Sequence, residues 1–190
     1  MRAVAYGSYD GGLRELIHLL KYGRVRPAAG VLGRMLAEVI QGLGSEFGSA
    51  VVVPVPLHRS KLRQRGFNQA EEIARAALKN LTCNTLTLAP GVLERKRATE
   101  SQTGLSDHQR QGNVRGAFVV AAPELIKDRD VLLVDDVFTT GATAGECARL
   151  LRRRGAERVF VATVARVLKS EATWAAPDDI EQARGSKAYA

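Results

Sequence analysis

The chain has 190 residues, 45% hydrophobic and 25% charged, a globular balance that excludes wholesale disorder. Its apolar runs are only a few residues long, far short of the roughly 20 a spanning helix needs, and its two cysteines, Cys83 and Cys147, cannot build a disulfide framework or a four-thiolate zinc site. Lys and Arg outnumber Asp and Glu by 28 to 20, a net charge of +8, which favours anionic partners such as phosphorylated metabolites or nucleic acid.

Met1-Arg2 leads into a polar, Gly-rich stretch without an apolar segment, so no secretory signal is expected and a reduced, cytoplasmic setting is. Leu13, Leu16, Ile17 and Leu20 keep helical spacing and predict a helix over 11–21, with Gly23 as its C-cap. Val31, Leu32, Met35, Val39 and Ile40 predict a second helix over 28–41, broken by Gly42-Leu43-Gly44. Ala50 to Val53 is continuously apolar, the pattern of a strand buried on both faces, and Pro54 and Pro56 stop it. Asn68 caps a predicted helix with apolar residues at 70, 73, 74, 77, 78 and 81. Val92-Leu93 and Phe118-Val119-Val120 read as short strands, and Val131 to Val134 as a second fully buried one. A helix over 144–154 buries Ala144, Cys147, Ala148 and Leu151 and ends at Gly155; Arg158 to Val164 returns as a strand. This alternation predicts a doubly wound α/β fold. The tail from Lys169 has no period and is expected to fray. No internal repeat or domain-sized linker interrupts the chain.

The sharpest chemical signal is residues 131–143, Val-Leu-Leu-Val-Asp-Asp-Val-Phe-Thr-Thr-Gly-Ala-Thr. A buried strand is expected to end in Asp135 and Asp136, followed by a Thr/Gly loop and a helix. Ligands of open α/β sheets bind at the carboxyl ends of the strands. The helix start presents unpaired N–H groups and the positive end of its dipole. Thr139, Thr140 and Thr143 add hydroxyls, and Gly141 lets the backbone approach closely, so the loop suits a phosphate. The carboxylates can accept hydrogen bonds from vicinal hydroxyls or help hold a divalent cation against a diphosphate. A sugar phosphate with free hydroxyls and a second phosphorylated arm combines all three demands. Two adjacent Asp alone would more simply be solvated; the whole run argues against that. Neither a P-loop nor a dinucleotide fingerprint is present.

Residues 131–143 resemble the phosphoribosyl-diphosphate signature of type I phosphoribosyltransferases. The stretch Val53-Pro54-Val55-Pro56-Leu57-His58-Arg59-Ser60-Lys61-Leu62-Arg63-Gln64-Arg65-Gly66-Phe67-Asn68-Gln69 resembles the most distinctive motif of the ComF family, named for a competence protein needed for DNA uptake. Arg95-Lys96-Arg97-Ala98-Thr99, Ser101 to Leu105, Arg110, Asn113-Val114 and Gly116-Ala117-Phe118 resemble the same family's flexible loop, and Tyr9-Asp10-Gly11 through Tyr22 fits as well. The resemblance spans about residues 6–166. It implies a central, mostly parallel sheet flanked by helices with a small N-terminal helical hood: one domain over 1–168, with the hood in 1–48 and the core in 49–168, and a tail over 169–190. It implies that Asp135 and Asp136 contact the ribose hydroxyls, that Thr139, Thr140, Gly141, Ala142 and Thr143 wrap the 5-phosphate, and that Mg²⁺ rides on the diphosphate arm. The metal would be held through the diphosphate, with Asp135 and Asp136 as its nearest protein groups. Family members commonly open with a four-cysteine zinc ribbon; this sequence shows no such cysteines, so no zinc is expected.

Arg59, Lys61, Arg63 and Arg65 form a basic loop without an acid, following a buried strand; Arg63 and Arg65 are the candidates for the diphosphate. A solvated basic loop and DNA phosphate binding are the other readings of these charges. Residues 94–115 carry further cations and are expected to act as a flap that closes over the ligand. Two functions stay open. One is a phosphoribosyltransferase that binds phosphoribosyl diphosphate and Mg²⁺ and passes the pentosyl group to an unidentified acceptor. The other is a non-catalytic protein that binds single-stranded DNA or competence proteins on the same fold.

Overall fold

The computed structural model describes residues 1–43, 46, 48–82, 85–98 and 113–168. Seven strands are present among them: β1 (Arg2–Ser8), β2 (Ala50–Pro54), β3 (Leu86–Leu88), β4 (Leu93–Arg95), β5 (Phe118–Val120), β6 (Asp130–Phe138) and β7 (Val159–Arg166). They are accompanied by the helices α1 (Gly11–Lys21), α2 (Ala28–Gly42), α3 (Arg59–Arg65), α4 (Gln69–Lys79) and α5 (Ala142–Arg153) and by a short 3-10 turn, Pro123–Leu125. A five-stranded sheet runs in the order β1-β7-β6-β2-β3, with every pairing parallel. β4 and β5 form a separate antiparallel pair. The α/β fold with a central parallel sheet flanked by helices is therefore as the sequence predicts.

The period of two in the strands divides the core into two layers. Val52, Leu132, Val134 and Ala162 pack on one face with Ile17 and Leu20 of α1, Leu32 and Leu36 of α2, and Ile73 of α4. Val51, Val53, Leu133 and Val161 pack on the other with Cys147 and Leu151 of α5 and with Leu93 and Phe118 of the β4–β5 pair. Both faces are covered, which is why these strands read as unbroken apolar runs. α2 lies so close on α4 that a Cβ on Gly33 would sit 2.4 Å from the Ala76 methyl. No helix among the described residues is long and apolar enough to cross a membrane.

The structure corrects several local expectations. The basic stretch after β2 is a helix, α3, rather than a loop. His58 caps it, its Nδ1 accepting from the Ser60 amide at 3.3 Å, and Gly66 at φ 84° closes it with its amide 2.7 Å from the Leu62 carbonyl. β6 does not end before the carboxylates: its ladder with β7 continues through Asp135↔Thr163 to Phe138↔Arg166. Gly23 is not the cap of α1; Tyr22 fills that place, and the left-handed residue of the turn is Arg24, at φ 55°. β1 and β3 were not foreseen. Of the expected flap, Arg95 belongs to β4. Residues 99–112, with His108 and Arg110, and the tail from 169 lie outside the described residues.

Candidate functional site

The carboxyl end of β2 lies beside the middle of β6, Pro54 opposite Val134, and the Val55 amide donates to the Val134 carbonyl at 2.9 Å. From there the two chains part. β2 leads to α3 and to α4, which packs on one face of the sheet, while β6 leads to α5 on the other. A crevice at this divergence is where a doubly wound sheet binds its ligand. The crevice is a cleft of about 200 Å³. Asp135, Asp136, Thr139, Gly141 and Thr143 line it from β6 and the following turn, Val55, Pro56 and Leu57 from the β2 end, and Lys21, Gln69 and Arg95 from other elements.

The turn is built around Gly141. Its φ of 77° suits glycine, and a Cβ there would sit 2.6 Å from Cζ of the Phe138 ring. This packs the chain tightly where α5 begins, with Thr143 and Ala144 of its first turn on the wall of the cleft. Inside it, Thr140 Oγ1 accepts from the Ala142 amide at 3.4 Å, and Ala142 packs against the α5-side core. Of the five expected phosphate-loop residues, Thr139, Gly141 and Thr143 thus line the cleft, while Thr140 and Ala142 shape the turn.

The carboxylates differ in their surroundings. Asp136 is buried, 4% exposed, and forms an ion pair with Lys21, Nζ to Oδ2 2.7 Å. Burial pulls the Lys21 ammonium down, but the charge and hydrogen bond of Asp136, with Asp135 and Tyr9 behind it, leave it raised overall. Asp135 keeps some access to the cleft, and its Oδ1 accepts from the Asp136 amide at 2.9 Å. Burial first, and the Asp136 charge second, push the Asp135 carboxyl up to about 7. Arg95, half-buried with its guanidinium 5.2 Å from the Phe118 ring centre, is lowered by burial, against the pull of Asp135.

The two arginines expected at a diphosphate lie elsewhere. Arg63 is exposed on α3, and Arg65 donates to Gln69 and stacks its guanidinium 5.8 Å from the Tyr22 ring centre; neither lines the cleft. The cations that do line it are Lys21 and Arg95. Lys21 gave no signal in the sequence, since it is simply the last residue of an amphipathic helix. Arg95 stood in a basic run singled out for the flap, and only its place on β4 turns it toward the carboxylates. Among the described residues, no three His, Cys, Asp or Glu side chains come together as a metal site.

The parallel sheet carries a carboxylate pair and a glycine-built turn toward its carboxyl edge, and residues 62–183 match the phosphoribosyl transferase domain. DNA utilization protein YhgH of Escherichia coli K12 is 35% identical over 170 residues, covering 88% of this chain and 73% of that protein. Competence protein F of Haemophilus influenzae is 36% identical over 116 residues, covering 60% of this chain and 49% of that protein. The chain belongs to the ComF family of phosphoribosyltransferase-domain proteins. Among solved structures, a hypoxanthine phosphoribosyltransferase of Staphylococcus aureus aligns at 14% identity and a TM-score of 0.42 over 77% of each chain, a likeness too slight to carry further weight.

Proposed function

We propose that the cleft binds phosphoribosyl diphosphate and that the protein is a phosphoribosyltransferase. The observation that carries this reading is the placement of Asp135 and Asp136 beside the Gly141 turn, at the point where the β2 and β6 connections diverge. The two carboxylates accept from the ribose hydroxyls, and the turn with the first amides of α5 takes the 5-phosphate. Lys21 and Arg95 line the same cleft and face the negative charge of the diphosphate as it leaves. They replace Arg63 and Arg65 in that role. Catalysis is then largely positioning and electrostatics: pyrophosphate departs as a nucleophile takes the anomeric carbon.

Mg²⁺ fits this site only in part. The donors among the described residues do not make a metal cage, and Asp136 is engaged by Lys21. Asp135, open to the cleft, is the carboxylate that would meet a cation held mainly by diphosphate oxygens. When bound, the ion neutralises the leaving diphosphate.

Calorimetric titration with phosphoribosyl diphosphate, with and without Mg²⁺, tests the reading. Saturable binding by the wild type and its loss in a folded Asp135→Asn/Asp136→Asn variant is the expected result. No binding by well-folded wild type would sink the transferase reading. The second reading, a DNA-binding protein of DNA uptake or utilization, draws support from the names of the relatives and from the excess of cations. It predicts binding of single-stranded DNA that weakens steeply with salt.

A further inference from the structure

A second recess of about 180 Å³ adjoins the cleft at Lys21, which lines both. Its other walls are Tyr22, Arg24, Lys61, Gln64 and Arg65, so the turn after α1 forms one side and α3 the other. The two sides are tied together. Arg24 donates from Nη2 to the Gln64 carbonyl at 2.8 Å, and Arg65 stacks on Tyr22. Arg24 holds a left-handed φ of 55°, which a bulky side chain adopts at some cost, to make that reach.

The recess contains four cations and no acid. Lys21 has Asp136; among the described residues no carboxylate pairs with Arg24, Lys61 or Arg65. The arginines around α5 are a useful contrast. Arg2, Arg149 and Arg158 line another groove, where Glu46, Glu146 and Asp130 answer them and a fourth arginine, Arg152, donates to the Ala156 carbonyl. Lys61 has the opposite surroundings: burial, then Arg95, Arg65 and Lys21, draw its ammonium down. Cations gathered in a concavity without counter-charge repel one another, and a fold that keeps them there is arranged for an arriving anion. Tyr22, 70% exposed at the rim, offers aromatic surface beside them, its ring held between the Arg65 guanidinium and the tilted His18 ring 5.2 Å away.

We infer that this recess is a phosphate-ester subsite next to the sugar-phosphate cleft, taking the phosphate of a nucleotide on Arg24, Lys61 and Arg65 with its base against Tyr22. The nucleotide is either free or part of a single strand; the phosphate chemistry is the same. The subsite is separate from the phosphoribosyl diphosphate reading, because it uses none of the Asp135–Thr143 segment.

The test is a set of titrations at fixed ionic strength with thymidine 5′-monophosphate, a short oligothymidylate, unphosphorylated thymidine and phosphoribosyl diphosphate. The proteins are wild type, Arg24→Glu/Lys61→Glu, Arg153→Glu/Arg154→Glu as an equally charged remote control, and Asp135→Asn/Asp136→Asn. Arg24 and Lys61 are exposed, and matching thermal midpoints establish that their variant is folded. The monophosphate or the oligothymidylate binds wild type, weakens roughly tenfold or more in Arg24→Glu/Lys61→Glu, and is unchanged in the remote control. Binding of the monophosphate identifies a nucleotide subsite; binding of the oligothymidylate alone identifies a strand. In Asp135→Asn/Asp136→Asn this affinity is kept or rises, since Lys21 loses its partner, while phosphoribosyl diphosphate binding is lost. Several outcomes overturn the inference: neither phosphate ester binds, thymidine binds equally well, or the remote control weakens binding as much. Equal loss of phosphoribosyl diphosphate in Arg24→Glu/Lys61→Glu also overturns it, because the recess would then serve that ligand's own diphosphate. Failure of phosphoribosyl diphosphate binding alone touches only the transferase reading.

Discussion

Asp135 and Asp136 are adjacent carboxylates that the fold has to tolerate, and it treats them differently. The Asp135 carboxyl is moved from an ordinary 3.8 to about 7, by burial and then by the Asp136 charge. Between those limits the folded protein binds more protons than the unfolded chain, so stability falls as pH rises through the window. Asp135→Asn removes that cost. Thermal unfolding should show a gain of about 1–3 kcal/mol near pH 8 and almost none near pH 2.5, below the 3.8 of the unfolded carboxyl, where both states are protonated. A gain of equal size at both pH values would rule out burial of a charge as its cause. Asp136 has instead been given Lys21. Lys21→Met leaves a buried carboxylate without its cation and should cost about 2–4 kcal/mol in denaturant unfolding. Lys21→Met/Asp136→Asn should recover most of that loss, which gives a coupling energy for the pair.

Two glycines separate the roles of the elements. Gly33 lets α2 approach α4, and an added methyl would meet the Ala76 Cβ at 2.4 Å and its carbonyl carbon at 2.8 Å. Gly33→Ala should cost about 1–3 kcal/mol of stability while the folded fraction keeps its affinity for phosphoribosyl diphosphate. Gly141→Ala strains a φ of 77° and collides with Phe138, in the turn proposed to take the 5-phosphate. Its main effect should be a roughly tenfold or greater loss of that affinity, read by the same titration; unchanged affinity would remove the turn from the phosphate site. The sequence announces such elements unevenly. β2, β6 and β7 were readable because burial on both faces demands unbroken apolar runs. α3 was not, because none of its residues is buried and it has no apolar stripe; its only signs are the caps His58 and Gly66. β1 is a half-exposed edge strand, and β3 has three residues, too few for a period. The β6 ladder outlasts its apolar run, so the carboxylates looked like an end when they are still strand. Asp135, Asp136 and the turn after them were visible because they are contiguous. Lys21, Gln69 and Arg95 reach the cleft from α1, α4 and β4, and no spacing along the chain carries that information.

The sheet stands between the two core layers, and the cleft draws on both. Lys21 comes from α1 in the layer of Ile17 and Leu20, whereas Arg95 and Thr143 come from β4 and α5 in the layer of Leu93 and Cys147. A ligand seated between them ties the layers together at the sheet's carboxyl edge. Its binding energy should therefore stabilise the molecule as one unit rather than one layer of it. A ligand present at about 100 times its dissociation constant adds about 2.7 kcal/mol. For a chain of this size that is on the order of 5–10 °C in the thermal midpoint. Calorimetric scans with phosphoribosyl diphosphate and Mg²⁺ should show a single transition displaced upward by that amount, and no displacement in Asp135→Asn/Asp136→Asn. A scan that splits into two transitions, only one of them moved, would mean that the ligand contacts one layer alone, and would remove either Lys21 or Arg95 from the binding site.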